Sequence, residues 1–275
     1  MERLPPVVTL PLAMVEVVAG VEYLEPRTLS FLHGEVALFS VRAPGKTTGN
    51  EDAAALISID DRNGLIVVAD GLGGHADGAL ASRMVIDELI DATRAAVASG
   101  GGLREAVLQG IDAANQAIIA LGNGAATTLA VTEITDAGMR TYHVGDSSIL
   151  VTGQRGLLKH QTIQHSPIGH AVESGLMDEA GAMQSEERHL VSNVVGSSDM
   201  RVELGPLRKL ATFDTVVMAS DGLADNLMVE EIIETVRKGP LQRAAGNLMS
   251  ACLQVMQEGG HPDDLTVALY RPSGR

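Results

Sequence analysis

Tryptophan is absent from this chain, and only three tyrosines and three phenylalanines are spread over its 275 residues. A core without large rings must be built from Ala, Val, Leu, Ile and Met. Cysteine occurs once, at Cys252. An internal disulfide is therefore excluded, and the usage fits a reducing compartment, the cytoplasm. Basic residues are also scarce: 20 Lys and Arg stand against 35 Asp and Glu, for a net charge of −15. A nucleic-acid binder needs a basic face to neutralise phosphates, and no basic run is present. An acidic protein still binds phosphate when cations sit between the two. A long unbroken hydrophobic run is lacking too. The apolar stretch from Val7 to Val21 is punctuated by Pro11 and Glu16, and Pro5, Pro6 and Glu2 beside Arg3 precede it. It reads as neither signal peptide nor membrane span.

What is present is a sequence of short apolar runs and two amphipathic segments, within reach of one large domain. Residues 1–33 carry no usable motif and read as an N-terminal extension of unknown role; 34–275 read as the domain. Strands are expected over 35–42, 53–59 and 65–69. Asn63-Gly64 between the last two signals a hairpin, because both residues tolerate positive φ. Helical spacing follows over 79–99, stopped by Gly100-Gly101-Gly102, and over 103–121, stopped by Gly122-Asn123-Gly124. Strands return over 128–134, 140–144 and 149–152. Residues 165–206 have weak periodicity and read as a short helix plus irregular chain, a flap. A strand over 213–219, helices over 229–237 and 241–258, and a strand over 265–270 complete the reading. Short links favour antiparallel pairing. Runs such as Leu65–Ala69 are apolar on both faces, so the sheets must be covered on both sides. Two packed sheets flanked by helix layers satisfy this, an α+β arrangement.

The acids are placed unusually. Leu65–Ala69 runs straight into Asp70, His143-Val144-Gly145 into Asp146, and Val216–Ser220 into Asp221. Asn50-Glu51-Asp52 and Asp263-Asp264 open two further strands. One acid at a strand end caps a turn; five strands so marked suggest convergence. Two carboxylates about 5 Å apart repel by roughly 3 kcal/mol at an effective dielectric near 20. Several such pairs call for protons or cations, and carboxylates with carbonyls select hard ions such as Mg²⁺ or Mn²⁺. The glycines of Asp70-Gly71-Leu72-Gly73-Gly74-His75 let the backbone approach a ligand, and a carbonyl there is a candidate metal ligand.

Taken in order, Asn50-Glu51-Asp52, Asp70–His75, Gly124–Thr128, Val144-Gly145-Asp146-Ser147, Ser220–Asp225 and Asp263–Val267 resemble the motifs of the type 2C, metal-dependent protein serine/threonine phosphatases. The resemblance covers about residues 35–271 and is nearest in style to bacterial single-domain members. It implies a four-layer αββα sandwich with two mainly antiparallel sheets flanked by helix pairs. It implies two Mn²⁺ or Mg²⁺ ions, with Asp70 bridging both and the Gly71 carbonyl on one. Asp221 and Asp263 hold the other, Glu51 binds through water, and Asp52 and Asp264 support that shell. Asp146 and Asp225, with Asp221, match a third, weaker site. The implied reaction is hydrolysis of phosphoserine and phosphothreonine by attack of a metal-bridging water. A phosphoprotein substrate and a partner serine/threonine kinase are implied with it.

The chain departs from that pattern at several positions. Thr47 stands where an arginine usually grips the substrate phosphate, and Lys46 and Arg42 are the nearby cations expected to fill in. Lys lacks the bidentate fork of Arg. Leu72 replaces a histidine acid of some members, which leaves His75 as the imidazole nearest the site, either in catalysis or bonded to an acid. Ser148 replaces a common arginine, and Asp264 a common asparagine. Two rival readings follow: a non-catalytic scaffold of the same fold, and a small-molecule phosphomonoesterase. Gly45-Lys46-Thr47 resembles the end of a phosphate loop, but position 40 is Ser40 where that pattern needs glycine.

Overall fold

The computed structural model of the chain describes residues 12–72 and 76–273. The strands are β1 (Met14–Ala19), β2 (Tyr23–Phe31), β3 (Gly34–Val41), β4 (Ala53–Ser58), β5 (Gly64–Ala69), β6 (Gly71–Leu72), β7 (Ala126–Thr127), β8 (Leu129–Thr135), β9 (Gly138–Val144), β10 (Ser148–Thr152), β11 (Leu158–Gln161), β12 (Glu203–Leu204), β13 (Thr215–Ala219) and β14 (Leu265–Pro272). The helices are α1 (Ala76–Ser99), α2 (Leu103–Leu121), α3 (Pro167–Glu173), α4 (Glu179–Met183), α5 (Asp221–Ala224), α6 (Val229–Val236) and α7 (Leu241–Gln257).

Alternation along the strands explains the layers. In β4, Ala53, Ala55 and Ile57 face one way and pack with Val85, Ile86 and Leu89 of α1 and Val107, Ile111 and Ile118 of α2. Ala54 and Leu56 face the other way, meeting Ile66, Val36, Leu38, Val216 and Ala268 between the sheets. In β3, Ala37, Phe39 and Val41 turn to Ile232, Ile233, Leu241, Ala245 and Leu248 of α6 and α7. Each strand therefore serves two cores, which is why its sequence is apolar throughout. Small residues let the sheets and helices close without aromatic bulk.

The result is the αββα sandwich. One sheet has the order β1-β4-β5-β8-β9-β12 and the other β11-β10-β13-β14-β3-β2, with antiparallel pairing throughout. A third ladder, β6 with β7, pairs Gly71 with Thr127 and Leu72 with Ala126.

Three readings are corrected. The boundary expected between residues 33 and 34 does not part an extension from a domain: β1 is an edge strand of the first sheet and β2 of the second. Pro26 sits where the β2–β3 register slips between Tyr23 and Arg27, a position where a missing N–H costs no ladder bond. Asn63-Gly64 does not use positive φ; neither residue is left-handed. The turn is organised by Asp60, whose Oδ1 accepts from the Arg62 and Asn63 amides at 2.8 and 2.7 Å. Residues 165–206 hold two short helices and β12 rather than one helix.

Candidate active site

The Asp70 backbone is held first. Its carbonyl accepts from Thr128 N at 2.8 Å and Thr127 Oγ1 at 2.8 Å, and its amide donates to Thr128 Oγ1 at 3.1 Å. Thr128 Oγ1 is hydrogen-bonded to Ser147 Oγ at 2.6 Å. The Gly-Ala-Ala-Thr-Thr and Gly-Asp-Ser motifs thus brace the first aspartate. Gly145 has φ +101°, and a Cβ on it would stand 2.7 Å from the Thr128 side chain. A Cβ on Gly71 would stand 2.2 Å from the Gly78 carbonyl oxygen and 2.8 Å from that of Glu51. Backbone-to-backbone contact therefore brings the Asp70–Gly71 turn against Glu51, as the glycine pattern predicts.

The other acids are placed by β13, β14 and the loop before β4. Ser220 Oγ donates to Asp52 Oδ2 at 2.8 Å and accepts from Thr266 N at 3.0 Å. Asp264 N donates to Asp263 Oδ1 at 2.7 Å. Gly222 closes on β14: a Cβ there would meet the Asp264 carbonyl at 2.3 Å.

These acids gather in one place. Burial raises the Asp70 carboxyl well above the usual range, and the charges of Asp221, Asp52, Asp263 and Asp146 raise it further. Burial and then the charge of Asp225 push Asp221 up to about 6. Burial and then Asp221 push Asp263 up to about 7. Asp225 rises to about 6, chiefly by burial, although Arg188 opposes it. Asp146 and Asp52 are raised by burial and by their acidic neighbours. Among the described residues, Glu51 Oε1, Asp52 Oδ1, Asp146 Oδ1 and Asp221 Oδ1 are buried oxygens without a hydrogen-bond partner. Buried lone pairs of one sign, unpartnered and mutually repelling, fit hard divalent cations.

Lys46 lies inside this group, with its Nζ 2.8 Å from Glu51 Oε2 and 2.6 Å from Asp264 Oδ2. Burial works against its charge, and the hydrogen bonds to Asp264 and Glu51 outweigh it, so the ammonium holds its proton above the usual lysine range. Arg42 is directed elsewhere, to Glu22 at 3.3 Å and the Thr48 carbonyl at 3.2 Å. His75 lies outside the described residues.

One contact had no signal in the sequence. Arg188, in the weakly periodic 165–206 segment, pairs with Asp225 at 3.5 Å. A cleft of about 400 Å³ opens beside this pair, lined by Ile168, Val172, Met183 and Val229. A cavity of about 760 Å³ lies at the hairpin end of the sandwich by His33, Arg62 and Phe213 and is lined by none of the clustered acids.

His143, His165 and Glu203 also lie close enough to hold an ion, and hydrogen bonds set which of their ring nitrogens carry protons. His143 Nε2 donates to the Ser147 carbonyl at 2.7 Å. His165 Nδ1 accepts from Gly145 N at 3.1 Å, so its proton sits on Nε2 and points to Glu203 at 3.1 Å. The His165 ring then has no lone pair left for a cation, whereas His143 Nδ1 keeps one, buried and without a hydrogen-bond partner among the described residues. The trio clamps the start of the 165–206 segment to the Gly145 turn.

Comparison with known proteins bears on the family and the fold. The family profile described as Protein phosphatase 2C matches residues 45–256. The protein phosphatase PhpP of Streptococcus pneumoniae is 28% identical over 234 residues, 82% of this chain and 92% of that one. The serine/threonine phosphatase of S. agalactiae superposes with a TM-score of 0.74 at 26% identity, covering 86% of this chain and 99% of its own. The catalytic domain of the serine/threonine protein phosphatase PstP, solved in complex with 2 manganese ions, superposes with a TM-score of 0.67 at 26% identity, covering 87% and 98%.

Proposed function

The chain belongs to the protein phosphatase 2C family, and from that premise we propose that it is a metal-dependent phosphatase removing phosphate from serine and threonine of phosphoproteins. The observation that carries this is the buried carboxylate cluster with unpartnered oxygens. Asp70, Asp221 and Asp263, with the Gly71 carbonyl and with Glu51 through water, are the residues that would hold two Mn²⁺ or Mg²⁺ ions. Asp146 and Asp225 would hold a third. Bound there, such cations supply charge stabilisation and an acidified water.

The chain's own groups do the rest. Thr127, Thr128 and Ser147 fix the Asp70 backbone, so the carboxylate is oriented before any ligand arrives. Asp52, with Ser220 and Thr266, joins the loop before β4 to the start of β14. Preorganisation of this kind is how charge developing in a transition state is stabilised without reorganisation. Leu72 carries no proton to the leaving group, which excludes an acid at that position.

Among the described residues, no helix is long and apolar enough to cross a membrane. Cytoplasmic phosphoproteins, handled jointly with a serine/threonine kinase, are the substrates this reading favours.

The test is turnover of a phosphothreonine peptide and of p-nitrophenyl phosphate with Mn²⁺, with Mg²⁺ and with EDTA, beside Asp70→Asn and Asp221→Asn. Hydrolysis that needs the cation and falls at least about 100-fold in both variants is expected. Faster turnover of the small ester than of the peptide would point to a small-molecule enzyme. Mn²⁺ binding without turnover of either would make the chain a scaffold.

A further inference from the structure

The loop between β3 and β4 carries a lysine enclosed by acids. Lys46 Nζ donates to Asp264 Oδ2 at 2.6 Å and to Glu51 Oε2 at 2.8 Å. Its side chain is 21% exposed and that of Asp264 only 4%. Asp264 also accepts from two backbone amides of the same loop: Ala43 N reaches Oδ1 at 2.8 Å, and Glu51 N reaches Oδ2 at 2.8 Å. One carboxylate at the start of β14 thus gathers three donors from residues 43–51. A neutral amide at position 264 would have to turn an NH₂ group toward one of those donors.

Glu51 is divided between two tasks. Oε2 is bound by Lys46, while Oε1 is buried and without a partner among the described residues. Oε1 faces Gly78, 2.9 Å from where a Cβ would stand, next to the Gly71 backbone. Fixing one oxygen aims the other.

We propose that Lys46 is a positioning residue: a resident cation, tethered by Asp264, that aims Glu51 into the aspartate cluster and holds residues 43–51 in place before any metal binds. It is not the group that grips the substrate phosphate, because both of its close partners are carboxylates. The proposal rests on the function above only where it concerns metal affinity.

The experiment compares Lys46→Met, Asp264→Asn and the double variant. Thermal unfolding is followed in EDTA, Mn²⁺ binding by calorimetry, and inhibition by inorganic phosphate in the Mn²⁺-loaded enzyme. For K46M, a fall in Tm of about 5–10 °C in EDTA is expected, since a nearly buried carboxylate loses its counter-ion. Mn²⁺ affinity should weaken about 10-fold as Glu51 loses its orientation. The inhibition constant for phosphate should stay within about twofold. The double variant should lose less Tm than the two single losses added together, because Lys46 and Asp264 share one interaction.

Tighter Mn²⁺ binding in K46M would overturn the proposal by making Lys46 a plain counter-charge. An unchanged Tm with weakened phosphate inhibition would overturn it in favour of a phosphate clamp. If K46M does not fold, recovery of folding in the double variant supports the tether, and failure of both overturns it. Unfolding in EDTA and Mn²⁺ titration need no turnover, so a chain inactive on every phosphoester would refute the assigned function while leaving this result standing.

Discussion

Stripping the cations should make the protein's stability fall as pH rises, and fall steeply. The carboxyls of Asp70, Asp146, Asp221, Asp225 and Asp263 are all held above their ordinary range, by burial first and by one another second. A carboxyl with a raised folded pKa binds its proton more tightly in the folded state than in the unfolded one. Its stabilising contribution is complete below the unfolded value of 3.8 and is lost as pH rises through the folded value. With Asp221 and Asp225 near 6 and Asp263 near 7, the loss runs from about pH 4 to about pH 7, and Asp70 and Asp146, also raised, add to it. The displacement at Asp221, from 3.8 to about 6, is worth about 3 kcal/mol. The acids share one repulsion, so this is the scale for the cluster, not for each member. In a chain of this size it corresponds to about 6–12 °C in Tm. The assay is thermal unfolding by circular dichroism from pH 4 to pH 8, in EDTA and in excess Mn²⁺. In EDTA, Tm should drop by that amount across the range; in Mn²⁺, the drop should vanish. Asp221→Asn should raise Tm in EDTA at pH 8 and flatten the slope, although it removes a proposed ligand. Buried His143, held down to about 3, works the other way up to its unfolded value of 6.5, so the slope is read against the variant: a slope in EDTA that Asp221→Asn leaves unchanged would refute the clustering argument.

Gly71→Ala should destabilise the protein by about 3 kcal/mol, since the new methyl would overlap the Gly78 carbonyl at 2.2 Å, and Mn²⁺ affinity should fall with it; chemical denaturation and calorimetry read the two effects. Asn115→Ala should cost about 1–3 kcal/mol, because Asn115 Oδ1 accepts from Gly196 N at 2.7 Å and Ser197 N at 3.1 Å and anchors the 165–206 segment to α2. Proteolysis should then cut preferentially within that segment.

Much of this was legible because two signals coincide at the same places. An apolar strand that ends in an aspartate marks both a core element and the rim of the sandwich, so Asp70, Asp146 and Asp221 could be read with their strands. Leu103–Leu121 was read to the residue, since Gly122 adopts φ +65° and stops the helix. The rest depended on distance in sequence or on muted patterns. Lys46 and Asp264 are 218 positions apart, and no local pattern announces that the lysine's charge is already committed. β1 and β2 are edge strands with half-exposed faces and with Glu16, Glu25 and Pro26 in or beside their alternation. β11 is four residues of mostly exposed side chains, and its pairing with β10 decides its structure.

The position of β14 governs when the molecule becomes an enzyme. It is hydrogen-bonded on both sides, to β13 and to β3, in the middle of its sheet. β14 is made more than two hundred residues after β3, so the sheet waits half-built while the residues between them are synthesised. Until β14 slots in, β3 and β13 present bare ladder edges to the solvent, and such edges invite pairing with other chains. The same late strand delivers Asp263 and Asp264, the latter being the anchor for Lys46. Closing the sheet and completing the proposed cation site would therefore be a single event, leaving a nascent chain no partly formed centre before it is folded.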